Sequence, residues 1–478
     1  MRLPGAIGLA AIAAVALASA ASAGRANAQT VLSLNEAVQE ALSHNRPLHA
    51  ARAAADEASA RVIETRAGLL PTINVSESWQ RGNQPVFVFS SLLSARRFAA
   101  SNFAIDALNH PDPQGFFRTT IGLDQVLFDG GRTRSMVRAA SLQRDMAQSG
   151  IAEAATNAIV AVTDAYGRLL TARAARRAAD AGVAAGQDDL TRVRRRRDAG
   201  MATEADVLSL AVHLSDLQQR LIQADGDAAI ARAELNRLMG APVDREYDVS
   251  EPPDLTIADA TAPLTTLIAE ADTHRPELRR AALADELSVA LRQQARAAFL
   301  PQVAAQAVVE VSGTNVADRA SAWIVGGQVR WSFSTGGADQ ARLKAAAAAS
   351  TRARVEREEA RAVVAVDILS AERRLDSARA RQTVGQASVD QARESQRIVR
   401  NRFEAGLASV TDILRASTAV LDADAQRTAA LVDAIVARAA LAKAIGRLGP
   451  HTGSAGGATT HCAAGLPLTG SDPCREKR

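Results

Sequence analysis

The sequence predicts a mainly helical protein with a small β part, built from two tandem copies of one unit. Alanine is the most frequent residue, whereas aromatic residues make up only 3% of the chain. Because alanine favours helices and lets them approach closely, this composition predicts long helices with narrow packing interfaces between them. Two further observations support the fold class. Residue patterns recur at constant offsets, and four short segments alternate apolar and polar residues as strands do.

The amino terminus has the pattern of an export signal. Arg2 precedes the apolar run 7–18, and small residues follow it. Cleavage is expected after Ala23 or Ala28, so we assign a signal peptide to 1–28. Elsewhere no stretch has the roughly 18 apolar residues of a spanning helix. The mature protein is therefore expected to be exported without a transmembrane helix.

The charge pattern argues against nucleic acid as a partner. The 56 basic and 52 acidic residues leave a net charge of +4. The one dense basic cluster, Arg192 with Arg194–Arg197, contains no aromatic side chain on which a base could stack. Such a cluster at a helix end is either simply solvated or forms a basic collar for an acidic partner.

Both cysteines, Cys462 and Cys474, lie in a tail at 447–478 that is rich in small residues. In an oxidising compartment they could close a small disulfide loop. A metal site with His451 and His461 is the alternative, but the spacing matches no structural zinc pattern. A tail without a role is equally compatible with the sequence.

An internal duplication organises the rest of the chain. Leu70-Pro71 recurs as Leu300-Pro301, and Gly130-Gly131 recurs as Gly336-Gly337. We predict two repeats at 29–240 and 264–446, joined by a linker at 241–263. The capping-box pattern Ser33-Leu34-Asn35-Glu36 predicts a helix at the start of the first repeat, and Pro71 ends that helical region.

Each repeat is predicted to hold two strands, at about 72–80 and 117–128 and at about 302–311 and 322–333. Strands of this length can cross a bilayer when tilted. All three tryptophans lie in or beside them, as an interfacial belt requires; they are Trp79, Trp323 and Trp331. A half-buried sheet packed on a helix would show the same alternation. No helix face is apolar enough to cover four strands, which favours a membrane barrel.

Four strands cannot close a barrel, and hydrocarbon tolerates no unpaired sheet edge. The chain is therefore expected to form a symmetric oligomer. Two copies would supply eight strands and three copies twelve, and the residue pattern alone does not choose between them.

Two helices without proline run from Gly131 and Gly337 to turns at about 198–204 and 404–410. A helix of 67 residues is about 100 Å long. In each turn a glycine, Gly200 or Gly406, can end the helix, and Thr203 or Ser409 can cap the next one.

These features together resemble the outer-membrane efflux protein family of the TolC type. Its repeats carry Leu-Pro before the odd strands, Gly-Gly after the even strands, and a Gly-x-x-Ser/Thr-x-x-Asp-hydrophobic-Leu turn. All three occur twice here, and the resemblance covers about 33 to 446. It implies a homotrimer whose 12-stranded barrel sits in outer-membrane lipid and continues as a periplasmic α-helical coiled-coil cylinder. It also implies a periplasmic adaptor (membrane fusion) protein and an inner-membrane pump, expected to be of the resistance-nodulation-division type.

The resemblance also assigns roles to the two turns. In the family these turns dock the adaptor, and the matching residues here are Gly200, Met201, Ala202 and Thr203 with Gly406, Leu407, Ala408 and Ser409. The family narrows the channel with charged rings just after the turns. Asp412 and its counterpart Asp206 match one such carboxylate, while Arg415 and Ser209 stand where some members have a second. Both aspartates could equally be first-turn carboxylates favoured by the helix dipole.

The extra residues of the first repeat, at about 83–115, are too apolar for a loose loop. They are expected to fold over the outer mouth or, preferably, to pack against their own barrel. No catalytic constellation or phosphate-binding loop occurs, so neither an enzyme nor a cofactor is expected. The predicted function is an outer-membrane exit duct for small molecules such as drugs or toxic compounds. The alternatives are a duct for type I protein secretion and a periplasmic coiled-coil protein without a pore.

Overall fold

The computed structural model describes residues 31–250 and 262–448. The predicted signal peptide and part of the linker lie outside the described residues. So do Cys462, Cys474 and nearly all of the predicted tail.

The first half contains six α-helices, three strands and a short 3-10 turn. In chain order its elements are β1 (Val31–Leu32), α1 (Leu34–His44), α2 (Arg46–Ala67), β2 (Thr72–Gly82), α3 (Pro85–Ser94), the 3-10 turn (Ala100–Phe103), α4 (Ile105–Asn109), β3 (Gln114–Phe128), α5 (Arg132–Asp198) and α6 (Glu204–Met239).

The second half repeats this order without the segment between the two strands. Its elements are β4 (Asp248–Val249), α7 (Leu264–His274), α8 (Pro276–Ala297), β5 (Gln302–Gly313), β6 (Ala320–Arg330), α9 (Ala338–Glu404) and α10 (Val410–Ala444). The predicted fold class, mainly α with a small β part and two copies of one unit, is confirmed. None of the described helices combines the length and apolar composition needed to cross a membrane.

The helical region before each strand pair is broken into two helices, and this break was not predicted from the sequence. At Asn45 the backbone is extended, and its side chain accepts a hydrogen bond from the Leu48 amide at 3.2 Å. Arg275 occupies the same place in the second half. A proline follows each break, at Pro47 and Pro276. Because proline lacks an amide hydrogen it cannot extend a helix, but it suits a first turn where that hydrogen has no helical partner.

Several thin aliphatic cores hold the described helices together, and two of them are the largest. The first surrounds Tyr166 of α5, whose hydroxyl lies 2.9 Å from the Leu32 carbonyl and 2.7 Å from the Ser250 carbonyl. This contact attaches the parallel pair β1–β4 to α5 and fixes part of the predicted linker. The second core surrounds Ile368 of α9. Alanine fills many of the contact positions, as the composition predicts.

The main sheet has the order β2–β3–β5–β6, and every pair is antiparallel. Directly opposite residues share a face. The row Val75, Ile121, Val309 and Trp323 therefore crosses one face of the sheet. The row Ser76, Thr120, Glu310 and Ala322 crosses the other. We call these the apolar face and the polar face. In the single chain β2 and β6 are the edge strands of this sheet.

The fourth strand ends earlier than predicted. It spans Ala320–Arg330, whereas the alternation suggested about 322–333, so Trp331 lies beyond it. The last pair of the ladder joins Gln302 to Arg330. The next partner would be Pro301, which has no amide hydrogen to donate. Trp331 instead donates its indole hydrogen to the Phe299 carbonyl at 3.2 Å.

Gly240 ends α6 and lies against the break between α1 and α2. We predict that replacing it destabilises the fold. Its φ is +75°, and a Cβ there would overlap the His44 carbonyl oxygen. Gly240→Ala should cost about 3 kcal/mol, from backbone strain plus overpacking. Gly131 has φ +82° with no atom near its Cβ position. Gly131→Ala should therefore cost only about 1–2 kcal/mol. Equal denaturation midpoints for the two variants would contradict the overlap at Gly240.

Candidate functional site

The first helix-tip turn follows α5 and is closed by backbone hydrogen bonds. The Gly200 amide donates to the Arg197 carbonyl and the Met201 amide to the Arg196 carbonyl, both at 2.8 Å. This pairing is the Schellman arrangement, which needs a left-handed residue after the helix cap. Gly200 has φ +74°, a conformation that strains residues with a Cβ.

The second tip has the same construction. The Gly406 amide donates to the Phe403 carbonyl at 3.0 Å, and the Leu407 amide donates to the Arg402 carbonyl at 2.7 Å. Gly406 has φ +73°. The two tips are therefore equivalent in backbone geometry as well as in sequence.

Each tip continues into a capping box. The carboxylate of Asp206 accepts from the Thr203 amide at 2.9 Å and the Thr203 hydroxyl at 2.8 Å. The Asp412 carboxylate accepts from the Ser409 amide and hydroxyl at the same two distances. In return, each hydroxyl accepts a hydrogen bond from the backbone amide of its aspartate. The two aspartates therefore cap α6 and α10, and their role in a gate stays a prediction.

These hydrogen bonds set the charge of the caps. Bonds from the backbone and side chain of Thr203 hold the pKa of Asp206 below its usual value. Those from Ser409 do the same for the pKa of Asp412, with a smaller contribution from the charge of Arg415. Arg415 itself is exposed. Both carboxylates are therefore ionised across the neutral pH range.

The depressed pKa values predict a pH-dependent tip. Stability from these caps is fully present above the unfolded pKa, near 4, and is lost as pH falls through the lower folded pKa. We expect amide exchange at residues 203–207 to accelerate over that window, after correction for intrinsic exchange. Asp206→Asn should abolish the dependence, whereas Thr203→Ser keeps the hydroxyl and should preserve it. A flat profile in the unmodified protein would contradict this prediction.

Each tip presents one large apolar side chain to solvent. Met201 is 64% exposed and Leu407 is 69% exposed. The next residue in each turn, Ala202 or Ala408, packs inward instead. The alanines rest on a core shared by both tips, which consists of Leu190, Val193, Val207, Leu210, Phe403, Val410 and Ile413.

The arginine cluster joins the two tips, which neither sequence interpretation foresaw. Arg196 donates to the Phe403 carbonyl at 2.6 Å, and its guanidinium lies 4.7 Å from the centre of the Phe403 ring. Arg192 pairs with Glu404 at 2.9 Å. The expectation that the cluster is simply solvated is therefore wrong for Arg192 and Arg196. Arg194 and Arg195 are exposed, and a collar role for them stays a prediction.

A further ion pair between the repeats lies just behind the tips. Arg400 is 3.6 Å from Asp189, whose side chain is only 7% exposed. Arg400 is the counterpart of Arg194 in the repeat, but Arg194 is exposed. Sequence self-similarity therefore could not identify this contact, because it depends on which helix lies alongside.

The structure places two of the predicted interface tryptophans on the apolar face. Trp79 lies opposite Phe117 across β2 and β3, and Trp323 lies opposite Val309 across β5 and β6. Trp323 is 78% exposed in the single chain. Trp331 lies past the end of β6, next to Phe333. A large exposed apolar patch on a single chain, such as the apolar face, indicates a surface that is covered in the assembled protein.

Comparison with known proteins agrees with this architecture. The model of the outer membrane efflux protein family matches residues 37–241 and 267–447. The outer membrane efflux protein BepC of Brucella suis biovar 1 (strain 1330) is 25% identical over 428 residues, which cover 87% of this chain and 86% of BepC.

Two solved structures share the fold. The CmeC outer membrane channel of Campylobacter jejuni has a TM-score of 0.74 at 18% identity, covering 86% of this chain and 85% of CmeC. The outer membrane protein VceC of Vibrio cholerae has a TM-score of 0.70 at 20% identity, covering 86% of this chain and 96% of VceC. The family match spans both halves, and the resemblance and the outer-membrane location predicted from the sequence are confirmed. This chain belongs to the outer membrane efflux protein family.

Proposed function

We propose that this protein is the outer-membrane exit duct of a tripartite efflux pump that exports small molecules such as drugs or toxic compounds. The observation that carries the proposal is the pair of equivalent tips. Each lies at the end of a 67-residue helix that leads away from the sheet, and each exposes one large apolar residue. An exposed apolar side chain on a rigid turn suits docking to a partner protein.

In this proposal three copies assemble and contribute twelve strands to one barrel. The edge strands β2 and β6 would pair between neighbouring copies, which satisfies their backbone groups within hydrocarbon. The apolar face would then contact lipid, and the polar face would line the channel. Helices of about 100 Å would continue the channel into the periplasm.

The tips would meet a periplasmic adaptor protein through Met201 and Leu407. An inner-membrane pump, which we expect to be of the resistance-nodulation-division type, would supply the energy. Asp206, Asp412 and Arg415 follow the tips directly and are the candidates for a charged constriction. Because both carboxylates are already held in caps, we expect opening to move α6 and α10 as capped units.

Loss of the gene in its own host tests this function. Cells without it should accumulate a fluorescent efflux substrate such as ethidium, and re-expression should restore export. Unchanged accumulation together with loss of a secreted protein would support type I secretion instead. A protein recovered as a soluble rod without detergent would refute both ducts and indicate a periplasmic coiled coil.

A further inference from the structure

The mouth segment, residues 83–113 between β2 and β3, has no counterpart in the second repeat. We propose that it lies inside the outer mouth of the channel and limits the size of solutes that can pass. This proposal rests on the proposed function, because it takes the polar face of the sheet as the channel wall.

The polar face is defined by register. Thr120 lies directly opposite Glu310. Arg118 lies two residues from Thr120 on β3 and therefore shares its face. The Arg118 Nε lies 3.2 Å from a Glu310 carboxylate oxygen, which confirms that the two side chains meet there. Phe116 is two residues further along and occupies the same face.

Phe116 should be exposed on this face, but it is only 4% exposed. Val88 and Leu92 of α3 cover it, and the Phe87 ring meets the Phe116 ring edge-on with centroids 6.0 Å apart. The mouth segment therefore packs against the polar face through α3. It does so near Gly82 and Gln114, the paired ends of β2 and β3.

Two arginines fasten the mouth segment to the second hairpin. Arg96 donates to the Ser321 carbonyl at 3.0 Å. Arg97 lies 2.9 Å from Asp318 and also hydrogen-bonds the Thr314 side chain. The segment thus leaves the first hairpin and is anchored at the turn between β5 and β6. Among the described residues, Arg96 is the one non-glycine with positive φ, at +53°, which marks a tightly held bend.

The exposed surface of the mouth segment mixes polar side chains, such as Asp106 and Asn109, with large apolar ones. Its exposed large apolar side chains are Val86, Leu93, Phe103 and Ile105. In a barrel whose polar face lines the channel, these residues project towards the channel axis or the neighbouring copies. Three such segments would narrow the mouth, at the end of the channel opposite the helix tips.

Cysteine labelling from outside intact cells tests this position. In a background with Cys462→Ser and Cys474→Ser, Gln306→Cys places a thiol on the polar face below the mouth segment. We expect a small membrane-impermeant maleimide to react and a maleimide carrying a large polyethylene glycol to be excluded. Replacing residues 83–113 by Asn-Gly, the two-residue turn suited to the paired ends Gly82 and Gln114, should admit the large reagent. Val316→Cys on the outer turn should react with both reagents throughout.

The outcomes separate this proposal from the proposed function. If both reagents label Gln306→Cys equally in the chain with an intact mouth segment, the size limit is refuted. The proposed channel function is not affected by that result. If neither reagent labels it in either background but Val325→Cys on the apolar face reacts, the face assignment fails and the proposed function fails with it.

A milder variant covers the case in which the shortened hairpin does not assemble. Arg97→Glu removes the ion pair with Asp318 and should raise the labelling rate of the large reagent about fivefold, the change expected for one exposed ion pair. Combining it with Asp318→Arg should restore slow labelling. A double variant that labels as fast as Arg97→Glu would show that this pair does not hold the mouth segment.

Discussion

Val325→Arg is expected to prevent stable insertion of this protein into the outer membrane. Val325 lies on the apolar face in the middle of β6, directly opposite Ala307, and is 67% exposed in the single chain. An arginine on the lipid face near the bilayer midplane costs about 2–4 kcal/mol per chain. In a trimer this cost occurs three times. The amount of folded, heat-modifiable protein in purified outer membranes measures the effect.

Ile324→Arg is the matched control. Ile324 is the preceding residue, equally exposed at 68%, but it lies on the polar face opposite Val308. Its arginine would enter the water-filled channel, where the charge stays hydrated. We expect normal insertion for Ile324→Arg. Equal losses for the two variants would refute the assignment of the two faces.

Met201→Asp combined with Leu407→Asp is expected to abolish export without reducing the amount of protein in the outer membrane. Both side chains are exposed, and neither belongs to the shared tip core, so the fold does not need them. An interface residue of this kind contributes about 2 kcal/mol or more to binding, and the buried charge adds a further penalty. Substrate accumulation in cells complemented with each variant measures the loss.

The two tips offer their own control. Met201→Leu with Leu407→Met exchanges the apolar residues between equivalent positions and should retain export. If the double aspartate variant still exports at the normal rate, the tips are not the docking site. Reduced export by the exchange variant would instead indicate that each tip has its own partner geometry.

Local chemistry made the capping boxes and the tip turns predictable. Thr203 with Asp206 and Ser409 with Asp412 satisfy amides within the same turn, so four consecutive residues contain the information for each cap. The helix breaks were missed although their signal was present. Pro47 and Pro276 are compatible with a first helical turn, and only Asn45 and Arg275 show that a new helix begins there.

Contacts between the repeats were beyond prediction. Arg196 reaches the Phe403 carbonyl from a residue 207 positions away, and Arg400 reaches Asp189. Two arginines of the cluster, Arg194 and Arg196, have arginine counterparts in the second repeat, but the neighbouring helix differs. Self-similarity therefore identified equivalent positions and could not reveal that their partners are different.

The sequence by itself determined the helical composition, the duplication, the tip turns and the alternation of the strands. Each depends on periodicity or on interactions within a few residues, so a linear reading is sufficient. Only the tertiary structure decided the strand order, the end of β6 at Arg330 and the side of the sheet that the mouth segment covers. These three features depend on contacts between residues that are far apart in the sequence. Phe116 shows the difference: the strand predicted at about 117–128 did not include it, and only the structure places it on the polar face beneath α3.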